Sequence, residues 1–192
     1  MHDFITDFGV SEHFPIIDRL KNLSEIGVPR TRVLTSFGKG GFFKLNTLNI
    51  RAKNKISIVG VYGSEYIIMN ALAREAKLKG ISHVYCPSAL DPKNTYALYI
   101  DEMDTLFICG ELEDILADET IDSSHYFEKA LSENKHRLEF LARERESFLW
   151  AASDEFKKAS NAHFKLEKIY SSAMNFEKID IIADKISKTI LE

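Results

Sequence analysis

The chain has 192 residues, of which 45% are hydrophobic and 28% are charged, a composition that supports one sizeable core or a core with a helical extension. Its formal net charge of -4 is evenly spread, which excludes a broad basic surface for nucleic acid and an acidic tail. The start, MHDFITDFGVSEHF, is acidic where a signal peptide is basic, and no apolar run approaches the roughly 18 residues that span a bilayer, so we expect a cytoplasmic protein without membrane contact.

The first 31 residues are weakly patterned and are predicted to form an N-terminal arm or to pack on the domain that follows. Within them a helix is predicted from Phe14 to Ile26. Pro15 suits the first turn of that helix and Gly27 suits its end.

An α/β domain is predicted for residues 32–123, and it begins with RVLTSFGKGGFF. Gly38, Gly40 and Gly41 interrupt this β-like run and predict a loop. Lys39 in the loop is a candidate anion ligand together with backbone amides. Because no helix begins directly after it, a flexible connection is the favoured interpretation.

A nearly continuous apolar strand is predicted from Lys55 to Val61, as is typical of a central parallel strand with both faces covered. A helix follows from Ser64, with apolar residues at helical spacing, and ends at Gly80 with a glycine C-cap. HVYCP, at His83–Pro87, is a second strand at the spacing of a βαβ unit.

Two further strands are predicted, TYALYI at Thr95–Ile100 and DTLFICG at Asp104–Gly110. The alternation of strands and helix predicts a three-layer α/β sandwich with a mostly parallel sheet. Cys86 and Cys109 lie in apolar strands, where cysteines usually behave as small hydrophobic residues in a reducing compartment.

The pattern changes at Ser124, after which apolar residues recur at three- and four-residue multiples without a strand signal. Residues 124–192 are therefore predicted to form long helices, with a break near Asn175 and a last amphipathic helix from Phe176 to Leu191. The apolar face of that helix carries Ile179, Ile182, Ile186 and Ile190. Periodicity leaves open whether the helical region packs on the α/β domain or extends from it.

The stretch IVGVYGSEYIIMN places two glycines between the first central strand and its helix. A strand, a glycine turn and a helix N-terminus form the usual cradle for the phosphates of a nucleotide, and the P-loop pattern is G-x-x-x-x-G-K-[ST]. Aligned on Gly60, the chain reads GVYGSEYI. Gly60, Gly63 and Ser64 are therefore the candidate residues of a vestigial phosphate loop.

Three residues depart from the P-loop pattern. Glu65 stands in place of the second glycine, Tyr66 in place of the lysine and Ile67 in place of the hydroxyl that binds magnesium. Losing one charge-assisted contact costs about 1.5–3 kcal/mol, and a carboxylate about 4 Å from a phosphate adds about 4 kcal/mol of repulsion at an effective dielectric near 20. These costs remove most of a micromolar affinity. An acid in the first turn of a helix also interacts favourably with the helix dipole without any ligand.

The order of elements in KISIVGVYGSEYIIMNALAREAKLKG, HVYCPSALDPKNTYALYIDEMDTLFICG and SNAHFKLEKIYSSAMNFEKID resembles that of a family of uncharacterised bacterial P-loop ATPase-like proteins. The resemblance covers roughly Gly40 to Glu192 and implies a nucleoside-triphosphatase fold. It also implies a magnesium-positioning acid after the strand that contains LFICG. This chain has Cys109 there, with Glu111 and Asp114 shortly after it.

Other constellations have structural explanations. His83 and Cys86 are three residues apart on one strand and point to opposite faces, so they predict no shared metal site. In LEFLARERESF the arginines alternate with glutamates, which cancels the charge that a nucleic-acid groove needs. Trp150 nearby is expected to contribute to helix packing or to a protein interface.

The sequence thus predicts a non-catalytic P-loop NTPase-like domain that acts through protein contacts, with no catalytic residue, metal or cofactor. The predicted partner is another protein or a second copy, bound through the C-terminal helices. A first alternative is a protein that binds ATP or GTP with magnesium through an atypical loop, with Lys39 or Lys44 reaching in. A second alternative is a helical assembly module for which the α/β part is a platform.

Overall fold

The computed structural model describes residues 14–23, 26–45, 47–110, 117–174 and 176–191. Eight strands form in this part of the chain: β1 (Arg30–Thr31), β2 (Thr35–Gly38), β3 (Gly41–Lys44), β4 (Asn54–Val59), β5 (His83–Pro87), β6 (Thr95–Ile100), β7 (Thr105–Cys109) and β8 (Glu119–Asp122). Six of them make one sheet in the order β1-β5-β6-β7-β4-β8, and β2 and β3 form a separate hairpin.

The six-stranded sheet is mostly parallel. β1 pairs with β5, and β4 pairs with both β7 and β8, in parallel register. β6 is the exception, because it runs antiparallel to its two neighbours β5 and β7. The connection from β4 to β5 therefore joins two strands that point the same way but are separated in the sheet by β7 and β6.

Helix α2 (Ser64–Leu78) makes that connection and packs on β4, β6 and β7; it is preceded by the short helix α1 (Thr47–Arg51). The buried face of α2 carries Ile68, Met69, Leu72 and Ala76, all at 0% exposure. Every residue of β6 and β7 is buried as well. The core therefore lies between α2 and the centre of the sheet, where the continuous apolar runs of the sequence place it.

The segment before β1 joins this core. Pro15–Leu20 forms a 3-10 helix, and Phe14, Ile16 and Leu20 are buried against the core cluster. Beyond it, Ile26 forms an antiparallel bridge with Ile81. The helix predicted from Phe14 to Ile26 is thus present only as this 3-10 helix, and its predicted end at Ile26 is wrong because Ile26 pairs with the chain after α2.

The glycine-rich segment around Lys39 is an ordered hairpin, which corrects the prediction of a flexible connection. Phe37 on β2 pairs with Phe42 on β3. The ring of Phe37 also lies edge-on to that of Phe156, with 6.2 Å between centroids. Ser153 Oγ donates a hydrogen bond of 3.2 Å to the Lys39 carbonyl. Cross-strand pairing and these contacts with a distant helix order the turn.

The C-terminal region consists of a 3-10 turn (Ser123–Phe127) and the helices α3 (Glu128–Glu133), α4 (Lys135–Ala173) and α5 (Phe176–Leu191). Helix α4 has 39 residues and is therefore about 58 Å long at 1.5 Å per residue. It contacts β2 and β3 but buries only Leu138 along its length. Across the ranges that the structure describes, no helix combines the length and the apolar character needed to cross a membrane.

The predicted α/β class, the mostly parallel sheet and the long C-terminal helix are confirmed. The predicted break near Asn175 coincides with the end of α4, where Met174 has a ψ of 137° and leaves the helical conformation. The short strand β8 had no prediction, because its four residues alternate between half-buried and exposed and give no apolar run.

We expect Leu72→Ala to lower the free energy of unfolding by about 2–5 kcal/mol, because truncating a fully buried leucine leaves a cavity. Leu78→Ala is the matched control on the same helix, since Leu78 is 76% exposed, and it should change stability by less than about 0.5 kcal/mol. Urea unfolding followed by circular dichroism measures both. Equal effects of the two substitutions would contradict the placement of the core.

Candidate functional site

The turn from Gly60 to Gly63 lies at the carboxyl edge of the sheet, between β4 and α2. This is a topological switch point. From β4 the chain continues to β5, which lies on one side of β4 in the sheet, and from β7 it continues to β8, which lies on the other side of β4. Open α/β sheets bind ligands in the crevice at such a point. The fold therefore places the predicted phosphate loop where an α/β protein would use one.

The turn is closed by its own hydrogen bonds. Tyr62 and Gly63 have φ angles of 54° and 88°, in the left-handed region. The Ser64 N–H donates to the Val61 carbonyl, and the Tyr66 N–H donates to the Gly63 carbonyl, each at 3.1 Å. The Val61 N–H donates to Ser64 Oγ at 3.2 Å. Three backbone N–H groups at the N-terminus of α2 thus already donate to acceptors within the turn.

A chain of serine hydroxyl groups fixes the turn to the neighbouring strand. Ser123, directly after β8, donates from Oγ to the Val59 carbonyl at 2.9 Å, and its Oγ lies 2.8 Å from Ser64 Oγ. Since the Ser123 proton is used on Val59, Ser64 is the donor in the contact between the two hydroxyl groups. Both serines are 0% exposed, so the hydroxyl of Ser64 has an internal structural role.

Gly60 is required by this packing. A Cβ atom at residue 60 would lie 2.1 Å from Ser123 Oγ, 2.3 Å from Ser64 Oγ and 3.0 Å from Glu65 Oε2. The space beside the glycine is therefore filled by side chains of the protein. Gly60 accordingly has a packing explanation that needs no phosphate.

Glu65 points into the protein against the turn. Its Oε2 is buried and accepts no hydrogen bond from any described residue. Burial raises the pKa of this carboxyl, and its own backbone amide and the positive charge of Arg145 lower it in part. The pKa of Cys109 at the end of β7 is raised well above its ordinary value, first by burial and then by Glu65. A carboxyl group thus stands at the position of the second glycine of the P-loop pattern and lies against Gly60, the first.

A cavity of about 230 Å³ opens beside the turn. Its walls come from the first turn of α2, the loop after β5 and helix α4, and are formed by Tyr62, Gly63, Tyr66, Ile67, Ser88, Leu90, Asp91, Asn94, Arg145 and Leu149. Arg145 is the one lysine or arginine in this lining set, and its Nη2 lies 3.0 Å from Glu146 Oε1. Tyr66, in place of the P-loop lysine, contributes an aromatic wall, and burial raises the pKa of its hydroxyl.

The polar side chains of the loop after β5 are used to build the loop. Asp91 accepts hydrogen bonds from the Lys93 N–H at 3.1 Å and from Asn94 Nδ2 at 3.2 Å. Asn70 on α2 donates to Asn94 Oδ1 at 3.0 Å and accepts from the Thr95 N–H at 2.7 Å. Asp91 therefore acts as a turn former, a common role for an aspartate.

The structure brings Gly60, Gly63 and Ser64 together in one turn, but it places Lys39 elsewhere. Lys39 Nζ lies 3.3 Å from Ser160 Oγ and 5.3 Å from the centroid of the Phe164 ring. It takes no part in lining the cavity. Ser123 is the residue of this site that the sequence did not reveal, because a lone serine after a short strand has no motif of its own.

The described ranges contain no group of three His, Cys, Asp or Glu residues arranged to hold a metal ion. His83 is buried, with Nδ1 2.6 Å from the Ile81 carbonyl. Cys86 and Cys109 are free and buried, and burial raises the pKa of Cys86 to about 12. Comparisons of the chain with protein-family models, curated proteins and solved structures give no match.

We expect Gly60→Ala to lower the free energy of unfolding by about 1–3 kcal/mol, because the added methyl group overpacks the serine pair. In a Ser64→Ala, Ser123→Ala background the same substitution should cost less, since the two nearest atoms are gone. Gly40→Ala is the control, because a Cβ there meets nothing within 4 Å. A double-mutant cycle by urea unfolding measures the coupling, and purely additive effects would contradict the packing role of the serines.

We expect Glu65→Gln to stabilise the protein near neutral pH. The pKa of Glu65 is raised above the ordinary value of 4.5 in the folded chain. The stability that the protonated Glu65 carboxyl contributes is therefore fully present below that value and is lost as the pH rises through the raised pKa. The advantage of the glutamine variant should therefore disappear below about pH 4.5. Urea unfolding across this range, with the exposed Glu128→Gln as control, tests the pattern. A difference independent of pH would exclude burial of the carboxylate as its cause.

Proposed function

We propose that this chain is a P-loop NTPase-like domain with a three-layer α/β architecture, that its phosphate loop is degenerate and non-catalytic, and that it acts through protein contacts of its helical C-terminal region. The observation that carries the proposal is the Gly60–Ser64 turn, which is closed by its own amides and filled by Ser64, Ser123 and Glu65.

The energetic argument follows from that turn. A phosphate seated on the turn would displace the hydrogen bond from the Val61 N–H to Ser64 Oγ and would approach Glu65. A lysine contact worth about 1.5–3 kcal/mol is also missing. Repulsion from a carboxylate about 4 Å away costs about 4 kcal/mol at an effective dielectric near 20. Protonation of Glu65 would remove this repulsion but would supply neither the lysine nor the magnesium ligand.

Protein contacts are supported by the surface of the helical region. Large apolar side chains of α4 remain in water, and Leu166 at 51% exposure, Ile169 at 66% and Tyr170 at 65% lie on one face near its end. A contiguous exposed apolar surface of this kind marks an interaction site. Glutamates accompany the arginines along this helix, so its charge does not favour a nucleic-acid backbone.

A second candidate function is nucleotide binding in an atypical manner. The cavity beside the turn favours it, because Arg145 and two tyrosines could hold an anionic group and a ring outside the closed loop. In this case the phosphates would lie against α4 and not on the amides of the turn. Lys39 and Lys44 are not among the residues that line the cavity.

Calorimetric titration of the full chain with magnesium-ATP and magnesium-GTP separates the two functions. We expect no saturable heat in the micromolar range and no phosphate release above the buffer rate. Saturable binding near micromolar affinity would defeat the proposal. If such binding is lost in Arg145→Gln and kept in Arg143→Gln, which changes an arginine outside the cavity lining, the atypical mode is the correct one.

A further inference from the structure

The cavity beside the Gly60–Ser64 turn has walls from two parts of the chain that are far apart in sequence. The first turn of α2 and the loop after β5 form one side, and α4 forms the other through Arg145 and Leu149. The volume of the cavity is about 230 Å³. Since an apolar cavity of about 150 Å³ already binds a benzene molecule, this space accommodates one aromatic ring with a short substituent.

A nucleoside triphosphate does not match the size or the charge of the cavity. Pockets that enclose drug-sized ligands have volumes of about 300–1,000 Å³, and this cavity is smaller. Its lining offers one guanidinium, that of Arg145, for the several negative charges of a triphosphate. The ligand that the cavity encloses is therefore smaller than a nucleotide and carries one negative charge.

Much of the wall is formed by aromatic and aliphatic side chains. Tyr62 and Tyr66 contribute the aromatic rings, and Ile67, Leu90 and Leu149 contribute the aliphatic groups. Aromatic rings pack favourably against tyrosine in edge-on and offset-stacked arrangements, and they bury a large apolar area with few rotatable bonds. An aromatic ring is accordingly the body that this wall favours.

The polar groups of the loop after β5 are already paired with one another. Asp91 uses both carboxylate oxygens there, because Oδ1 accepts from the Lys93 N–H and Oδ2 accepts from Asn94 Nδ2. Ser88 is 2% exposed, and its Oγ accepts from a backbone N–H of the loop at 3.3 Å. The hydroxyl groups of Ser88 and Tyr66 are also hydrogen-bonded to each other. These acceptors are thus occupied within the protein.

Arg145 retains hydrogen-bond donors for a ligand. A guanidinium has five N–H donors in a planar fork that matches a carboxylate. Arg145 Nη2 donates to Glu146 Oε1 at 3.0 Å, and such a pair between exposed side chains is weak. Burial raises the pKa of Glu65 and of Tyr66, and the positive charge of Arg145 opposes this in both. The guanidinium therefore lies within electrostatic range of the first turn of α2.

We propose that this cavity binds a small aromatic monocarboxylate, with its ring against Tyr62 and Tyr66 and its carboxylate on the guanidinium of Arg145. The inference goes beyond the proposed function and does not depend on the state of the phosphate loop. Because the walls come from α2, the loop after β5 and α4, the bound acid bridges the α/β domain and the long helix.

Amide NMR spectra of the full chain, recorded during titration with phenylacetate and with indole-3-acetate, test the site. We expect saturable shifts centred on Gly63, Leu90 and Leu149, with dissociation constants between about 10 µM and 1 mM, since so small a ligand buries little surface. Phenylacetamide and indole-3-acetamide keep the rings but lack the charge, and they should bind at least tenfold more weakly. Acetate, which has no ring, should give no saturable shifts in this range.

Two pairs of variants locate the contacts. Arg145→Gln should weaken both acids at least tenfold and leave the two amides unchanged, because only the charged contact is removed. Arg143→Gln is the control, since Arg143 lies outside the cavity lining and its Nε donates to the Glu139 carbonyl. Leu149→Trp should fill the cavity and abolish binding of acids and amides alike. Phe148→Trp, at a neighbouring position that is 71% exposed, should have no effect.

Circular dichroism shows whether each variant keeps its fold, and the exposed Arg145→Gln tests the inference even if Leu149→Trp does not fold. Absence of saturable shifts with both acids, equal affinity for acid and amide, wild-type affinity in Arg145→Gln, or shifts confined to residues away from the cavity would each overturn the inference. These failures leave the degenerate phosphate loop as proposed. Saturable binding of magnesium-ATP removes the proposed function, whereas a carboxylate site that follows Arg145 stands in either case.

Discussion

The hydrogen-bonded chain from the Val61 amide through Ser64 Oγ and Ser123 Oγ to the Val59 carbonyl is the contact on which the rest of the site depends. It joins the end of β4, the start of α2 and the residue after β8 in a space that only a glycine at residue 60 leaves open. Because buried hydroxyl groups are costly when they lack partners, this chain is stable only as a complete unit. It holds the turn in a conformation in which these polar groups form hydrogen bonds with one another. The carboxyl of Glu65 closes the remaining side.

Much of the fold follows from local sequence. The strands β5 and β6 and the helix that ends before Gly80 could be predicted because each pattern depends on neighbours within a few residues. Contacts between residues far apart in the sequence could not be predicted. Ser64 and Ser123 are 59 residues apart, and the bridge beyond the N-terminal 3-10 helix joins Ile26 to Ile81. The departures from the P-loop pattern are visible in the sequence, but the burial of Glu65 depends on the packing of β4, β7 and α2 together.

The two parts of the molecule differ in how much of their apolar surface they bury. The sheet and α2 bury theirs almost completely, with Ile58, Phe107 and Leu98 at 0% exposure. Helices α4 and α5 leave large side chains in water, as with Phe148 and Ile182. Under the proposed function, the α/β domain with its closed turn provides a stable support and the exposed faces of the helices make the contacts.

A crystal structure of the chain grown with magnesium and a non-hydrolysable ATP analogue tests the central claim most directly. We predict that Ser64 Oγ and Ser123 Oγ remain in hydrogen-bond contact, that Glu65 stays against Gly60 and that no phosphate density lies on the amides of the turn. A β-phosphate bound to those amides, with the serine pair separated and a lysine drawn in from another segment, would contradict the account.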